Sequence, residues 1–261
     1  MNMTMTVVAG AIALTMMLNT AHAAEQKTVK LGLSPAYAPF ESKTPDGKLV
    51  GFDIDIGNEV CKRIQANCVW VEMSFDGLIP ALVSKKIDII NSSMNITEKR
   101  QKSISFTNPI YIMPIQLVAR KNSGLLPTVE SLKGKSVGVQ QGTTQEDYAK
   151  AHWANAGVNV VTYQDQDQVF MDLSAGRLDG AVQESQTAQQ AFLSKDEGKE
   201  FSFAGDSLKD PVTLGQGTGM GLRQKDTELQ QQVNNALNEM KKDGTLLKLS
   251  TQYFNRNIIA E

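Results

Sequence analysis

The sequence predicts an α/β protein made of two similar lobes that face one cleft. Three observations carry that prediction. Short apolar runs alternate with helical patterns, one half of the chain weakly repeats the other, and polar residues end the apolar runs at matching places in both halves. Alternating strand and helix signals favour βα units and largely parallel sheets.

Residues 1–23, "MNMTMTVVAGAIALTMMLNTAHA", come first. An apolar stretch from Val7 to Leu18 leads to Ala21-His22-Ala23, a small-x-small cleavage pattern. The stretch is too short for a comfortable membrane span, and no Cys follows it to carry a lipid. It reads as a secretory signal cut after Ala23, and an unanchored secreted protein held near its cell implies a bacterial periplasm.

Beyond it, "TVKLGL", "CVWVEM", "KIDIINS", "KSVGVQ", "VNVVTY" and "LDGAVQ" read as strands. Between them "DIDIGNEVCKRIQ", "DGLIPALVSK", "TQEDYAKAHWANAG", "DQVFMDLSAG" and "TAQQAFLSKDEG" read as helices. The tail "TELQQQVNNALNEMKKDGTLLKLSTQYF" reads as two helices joined at Asp243-Gly244. Cys61 and Cys68, in "CKRIQANC", are expected to form a disulfide in an oxidising compartment.

Composition narrows the chemistry. With 26 basic and 28 acidic residues the charge is near balance, which favours neither nucleic acid nor an anionic membrane as partner. A hydrophobic content of 41% suits a folded globule. Outside the leader, His152 is the sole histidine, so zinc sites and nucleophile–histidine pairs both lack parts. No metal and no cofactor are expected.

The repeat lays "FDGLIPALVSKKIDIINSS" over "QDQVFMDLSAGRLDGAVQE", matching Asp76 with Asp167, Leu82 with Leu173, Lys86 with Arg177 and Asp88 with Asp179. It sets Ser92 and Ser93 opposite Gln183 and Glu184, and Ser34 opposite Gln140. Ligands of open α/β sheets sit outside the carboxyl ends of strands, so two facing lobes would turn these side chains into one cleft. The plainer alternative is that they only punctuate strand ends. The same choice attends "NSSMNITEKRQ", which is either a turn with a helix cap or a set of groups waiting for a carboxylate and an amine.

The motifs "YAPFES", "GFDIDI", "FDGLIPAL", "KKIDIINSSMNITEKRQ", "SVGVQQGTTQE", "DLSAGRLD", "GTGMGLR" and "DGT" resemble those of the periplasmic solute-binding proteins for polar amino acids (family 3), in their histidine- and lysine/arginine/ornithine-binding branch. The resemblance spans the mature chain. It implies a periplasmic-binding-protein-like fold, two α/β lobes joined by a two-strand hinge with the ligand in the cleft. Residues 24–111 and 218–261 would form the first lobe and 115–209 the second, with hinges near 111–115 and 210–217. The family closes on a free amino acid and delivers it to the membrane permease subunits of an ABC importer. A monomer without nucleic acid is expected, and the cysteine pair agrees with that of relatives.

The site can then be assembled from its chemistry. Arg100 offers a planar fork for the ligand carboxylate, with Thr97 capping the helix that begins there. Thr144 and Gln145, in "QGTTQ", would take the other side of that carboxylate. Glu184 supplies negative charge for the ammonium, with oxygens from Ser92, Ser93 and Asn95. Tyr37 and Phe75 would stack on the side chain, where a desolvated cation over a ring gains about 2 kcal/mol; the alternative for both is ordinary core packing. Ser34 and Gln140 would meet the far end of the ligand. Relatives have Asp where Glu184 stands, Ser where Asn95 stands, an acid where Ser34 stands and often an apolar residue where Gln140 stands.

The expected function is therefore capture of a polar amino acid of the cationic class: histidine, arginine, ornithine or lysine. The missing acid at Ser34 favours histidine, arginine or a neutral residue over lysine. A neutral polar amino acid such as glutamine, or an amino-acid derivative, is the alternative. A dehydratase-type enzyme on the same fold is more remote, because it needs an acid poised over the reacting carbon while Arg100 and Glu184 already have binding duties. A receptor ectodomain would need a membrane span and a signalling tail.

Overall fold

The computed structural model describes residues 27–261, so the secretory signal expected over 1–23 lies outside the described residues. Two five-stranded sheets organise the chain. The first contains β1 (Thr28–Leu33), β5 (Asn67–Glu72), β6 (Ile89–Ile90), β7 (Ser105–Phe106) and β13 (Gly221–Leu222), in the order β5-β1-β6-β13-β7. The second contains β8 (Ile115–Arg120), β9 (Ser136–Gln140), β10 (Asn159–Tyr163), β11 (Gly180–Glu184) and β12 (Phe201–Ala204), in the order β10-β9-β11-β8-β12. A small sheet of β2 (Ala36–Tyr37), β3 (Glu41–Lys43) and β4 (Leu49–Val50) follows β1.

The repeat seen in the sequence is a topological repeat. In each large sheet four strands run in one direction: β5, β1, β6 and β7 in one, β10, β9, β11 and β12 in the other. Each sheet also carries one antiparallel insert. β13 pairs antiparallel with β6 and β7, and β8 pairs antiparallel with β11 and β12. The sequence reading has no strand over 115–120 or 221–222, while its largely parallel sheets match four of the five strands in each. Each insert is the first strand the chain forms on entering that sheet from the other.

The chain crosses between the sheets twice, between Phe106 and Ile115 and again between Ala204 and Gly221. The crossings pair side by side at Tyr111 and Thr218.

Local chemistry accounts for the helices. Phe52–Arg63 starts with Asp53 and Asp55 and ends with Lys62 and Arg63, matching the helix dipole at both ends. Thr227–Lys242 buries Leu229, Val233, Ala236, Leu237 and Met240, one stripe at helical spacing. Residues 187–198, expected as one helix, instead hold the end of a short helix over Ser185–Thr187, a wide π turn over Ala188–Leu193 and a 3₁₀ turn. The run "KIDIINS" pairs only at Ile89–Ile90, since Ser92, Ser93 and Asn95 beyond it turn toward the cleft.

The core of the first lobe gathers Phe40, Phe52, Tyr111 and Phe254, whose rings lie 5.0–5.4 Å apart in their closest pairs, against β1 and the C-terminal helices. Trp153 anchors one core of the second lobe. Cys61 and Cys68 are joined, linking the helix Phe52–Arg63 to β5. So short a loop stabilises by about 2.5 kcal/mol on the chain-entropy account. Among the described residues, no helix is long and apolar enough to cross a membrane.

Candidate functional site

The carboxyl ends of the parallel strands of both sheets point at one another. Ser34 follows β1, Ser92 and Ser93 follow β6, Gln140 ends β9 and Glu184 ends β11. Between them lies a small, largely enclosed polar cavity. Ser34, Tyr37, Phe75, Ser92, Ser93, Asn95, Arg100, Gln140, Thr144, Gln145 and Glu184 all line it. So do Glu41 and Thr143, which the sequence reading did not single out. Gln183 stands behind the wall, where its side-chain oxygen accepts from the Tyr37 hydroxyl and from the Glu184 N–H.

Arg100 is 8% exposed and sits on the four-residue helix Glu98–Gln101. Thr97 caps that helix by accepting from the Arg100 N–H at 3.2 Å. The guanidinium donates to the Asn95 carbonyl at 2.7 Å and, across the cleft, to the Gly142 carbonyl at 2.9 Å. It lies 5.5 Å from the centre of the Phe75 ring, within cation–π range. Burial lowers its pKa to about 10, with Asp147 and Glu184 acting in the opposite direction. It stays charged at neutral pH. Of its five N–H donors, three are left for a further acceptor.

The loop opposite begins with Gly142 at φ +77, and a Cβ there would stand 2.9 Å from Asp76 Cα of the other lobe. Only glycine lets the two walls approach so closely. Thr143 caps the helix Thr144–His152 by accepting from the Glu146 N–H. Thr144 is therefore the first helical residue, not the cap.

Asn95, expected to give an oxygen to the ammonium, also makes contacts within the protein. Its amide donates to Thr144 Oγ1 at 3.1 Å and to the Leu214 carbonyl at 3.3 Å, and its oxygen accepts from Thr218 Oγ1 at 2.9 Å. It braces one lobe against the other and against the crossing strand. Gln145 spans the same gap, donating to Tyr37 Oη and Gln183 Oε1 at 3.4 Å each. Outside the cavity Lys99 meets Asp147 at 2.8 Å and Gln164 donates to Asp76 at 3.2 Å.

The carboxylates set the electrostatics. Glu184 is 2% exposed and its Oε2 has no hydrogen-bond partner. Burial and then Asp53 push its pKa up to about 8, against the pull of Asn95, Arg100 and Tyr37. Glu41, from β3, accepts from Ser92 Oγ at 3.0 Å and Ser93 Oγ at 3.2 Å. Ser92 Oγ in turn accepts from the Ser34 N–H at 2.9 Å, so Glu41 stands at the Ser34 end of the cavity. Asp53 lies one hydroxyl deeper, held by the Ser93 N–H at 2.8 Å and the Tyr111 hydroxyl at 3.0 and 3.1 Å. Burial drives Glu41 and Asp53 upward, and the Asp53 charge raises Glu41 further. The reading that left the Ser34 end without an acid is corrected by Glu41. Nothing in one dimension ties "YAPFES" to "NSS"; the strand β3 brings them together.

Among the described residues no group of three or more His, Cys, Asp or Glu side chains is placed to hold a metal ion. A polar cavity with a guanidinium at one end and unpartnered acid at another, closed between two α/β lobes, defines a receptor for a small polar molecule. Residues 29–256 match the bacterial extracellular solute-binding proteins, family 3, and the chain belongs to that family.

The chain is 51% identical over 238 residues to the histidine-binding periplasmic protein of Escherichia coli (strain K12), covering 91% of this chain and 92% of that one. It is 50% identical over 254 residues to the lysine/arginine/ornithine-binding periplasmic protein of the same strain, covering 96% and 98%. Among solved structures it is similar to an ancestral arginine-binding protein bound to arginine, with TM-score 0.81 and 35% identity over 88% of this chain and 99% of that one.

Proposed function

We propose that this protein is a periplasmic, non-catalytic receptor that captures a cationic amino acid and delivers it to the permease subunits of an ABC importer. One observation carries the ligand class. The cavity and its immediate wall hold three buried carboxyl groups, Glu41, Asp53 and Glu184, against one guanidinium, Arg100. A buried excess of ionised acid is costly, so these groups hold protons or pair with a cation. A cationic amino acid brings one carboxylate for Arg100 and two positive groups, one for Glu184 and one for the Glu41 end. Histidine, arginine, ornithine and lysine all meet that description. Lysine loses its earlier disadvantage because Glu41 supplies the counter-charge absent at Ser34. The named relatives bind histidine, lysine, arginine and ornithine, in agreement with this reading.

In this mechanism Arg100 and the start of the helix Thr144–His152 hold the ligand carboxylate from both lobes. Glu184 and Ser93 take the ammonium, and Tyr37 and Phe75 flank the side chain. Ser34, Ser92, Gln140 and Gln145 complete the wall. Contacts made from both lobes at once favour the closed arrangement. The lobes would move about hinges near 111–115 and 210–217, with the chain acting as a monomer.

Bound ligand raises apparent stability by mass action. A thermal-shift panel of the common amino acids and ornithine, on protein unfolded and refolded to strip ligand, tests the reading. Arginine, histidine, ornithine or lysine should give the largest rise. A neutral or acidic amino acid outranking all four would overturn it.

A further inference from the structure

Glu41 and Asp53 reach the cavity wall from different elements, β3 and the helix Phe52–Arg63, and meet through one hydroxyl. Ser93 Oγ lies 3.2 Å from Glu41 Oε2 and 3.3 Å from Asp53 Oδ2. Tyr111 Oη lies 3.0 Å from the same Oγ and 3.0 Å from Asp53 Oδ1. The four groups thus make a closed cluster, buried throughout, that joins the cavity wall to a residue of the first crossing strand.

The protons in this cluster can be counted. A serine and a tyrosine hydroxyl each carry one, and an ionised carboxylate carries none. With both acids ionised, two hydroxyl protons would have to serve Glu41–Ser93, Ser93–Asp53, Tyr111–Ser93 and Tyr111–Asp53. Two of those contacts would set lone pairs against lone pairs among buried groups, where an unmade hydrogen bond is costly. One added proton resolves most of this. Glu41 then donates to Ser93 Oγ, Ser93 donates to Asp53, and Tyr111 donates to the other Asp53 oxygen. The Ser93 N–H already serves Asp53.

We propose that Glu41 and Asp53 hold one proton between them, and that the charge of the ligand side chain decides whether it stays. A neutral polar side chain leaves the proton in place, and a guanidinium or ammonium at the Glu41 end expels it to solvent. Glu41 thereby becomes a specificity residue whose own charge adjusts to the ligand. This rests on the amino-acid-binding reading above. The charged and titratable groups around Glu41 are Asp53 from the helix Phe52–Arg63, Glu184 from the end of β11, Tyr37 from β2 and Tyr111 from the crossing strand, with Arg100 the cavity's cation. The neighbouring acids both oppose a charge on Glu41, which agrees with the proton count.

Arginine and citrulline, alike in shape but differing in side-chain charge, separate this proton from any that Glu184 releases to the ammonium common to both. Calorimetric titration of the refolded full chain with each ligand, near pH 7 in buffers of different ionisation enthalpy, gives the number of protons released. Arginine should release about one proton more than citrulline. Its affinity relative to citrulline should rise by up to about tenfold per pH unit where the pair titrates. In Glu41→Gln the extra proton should disappear. Equal proton release by the two ligands, or arginine binding with citrulline excluded, would overturn the proposal; the wild-type comparison decides this even if Glu41→Gln fails to fold. Failure of every amino acid to bind would instead sink the functional reading.

Discussion

Arg100→Ala should separate ligand capture from folding. The guanidinium is buried, and two of its donors serve the Asn95 carbonyl at 2.7 Å and the Gly142 carbonyl at 2.9 Å. The remaining donors are enough for a bidentate grip on a carboxylate. Charge-assisted hydrogen bonds contribute about 1.5–3 kcal/mol each, so loss of two costs about 3–6 kcal/mol. The Gly142 carbonyl, contacted across the cleft, also loses its partner on closure. At about 1.4 kcal/mol per decade, Kd should rise at least 100-fold. Folding responds in the other direction. A guanidinium lowered to about 10 by burial corresponds to roughly 3 kcal/mol of desolvation that alanine does not incur, set against the orphaned Asn95 carbonyl. The ligand-free Tm should therefore move by only a few degrees. Titration calorimetry and scanning calorimetry on refolded protein measure the two effects. A Kd within about fivefold of wild type would refute the carboxylate assignment. A collapse in Tm would show that Arg100 is mainly a folding residue.

Two further outcomes follow from the same geometry. Glu184 has a folded pKa of about 8 against an unfolded value near 4.5, so it favours the folded state below about pH 4.5 and this support is lost as pH rises through 8. The ceiling is about 5 kcal/mol, part of it relieved by lobe opening; ligand-free Tm should fall between about pH 5 and 8.5, less so in Glu184→Gln, and a parallel fall in both proteins would remove Glu184 as the cause. Lys99–Asp147 closes the outer rim at 2.8 Å, but the lysine side chain is 74% exposed, so the pair is worth at most about 1 kcal/mol. Asp147→Ala should speed ligand release less than about fivefold, with the difference screened at 1 M salt; hundredfold faster release by stopped flow would make the pair a latch.

Much of this protein is determined by local sequence. The strand Thr28–Leu33, the helix Thr227–Lys242 and the break at Asp243-Gly244 need only periodicity and turn chemistry, because the forces that form them act within a few residues. The repeat around Asp76 and Asp167 was legible as well, since a similar βα unit places similar residues in similar local surroundings. The polar ends of β6, β9 and β11 could be named as cleft residues for the same reason: a strand end in a parallel sheet has one place to point.

Contacts made at long range were not legible. β8 and β13 are short or flanked by crossing segments, and their pairing depends on a partner far along the chain. Asn95 lines the cavity as read from the sequence, but its contacts with Thr144, Leu214 and Thr218 were not visible there. Glu41 was not singled out at all, because its partners Ser92 and Ser93 lie 51 and 52 residues away. Sequence alone determined which residues end strands and which of them carry charge. Tertiary structure decided that Glu41 and Glu184 line one buried cavity with a single guanidinium, with Asp53 just behind its wall. The reason is that charge balance in a cavity depends on distance and burial, and neither is a property of any short stretch of chain.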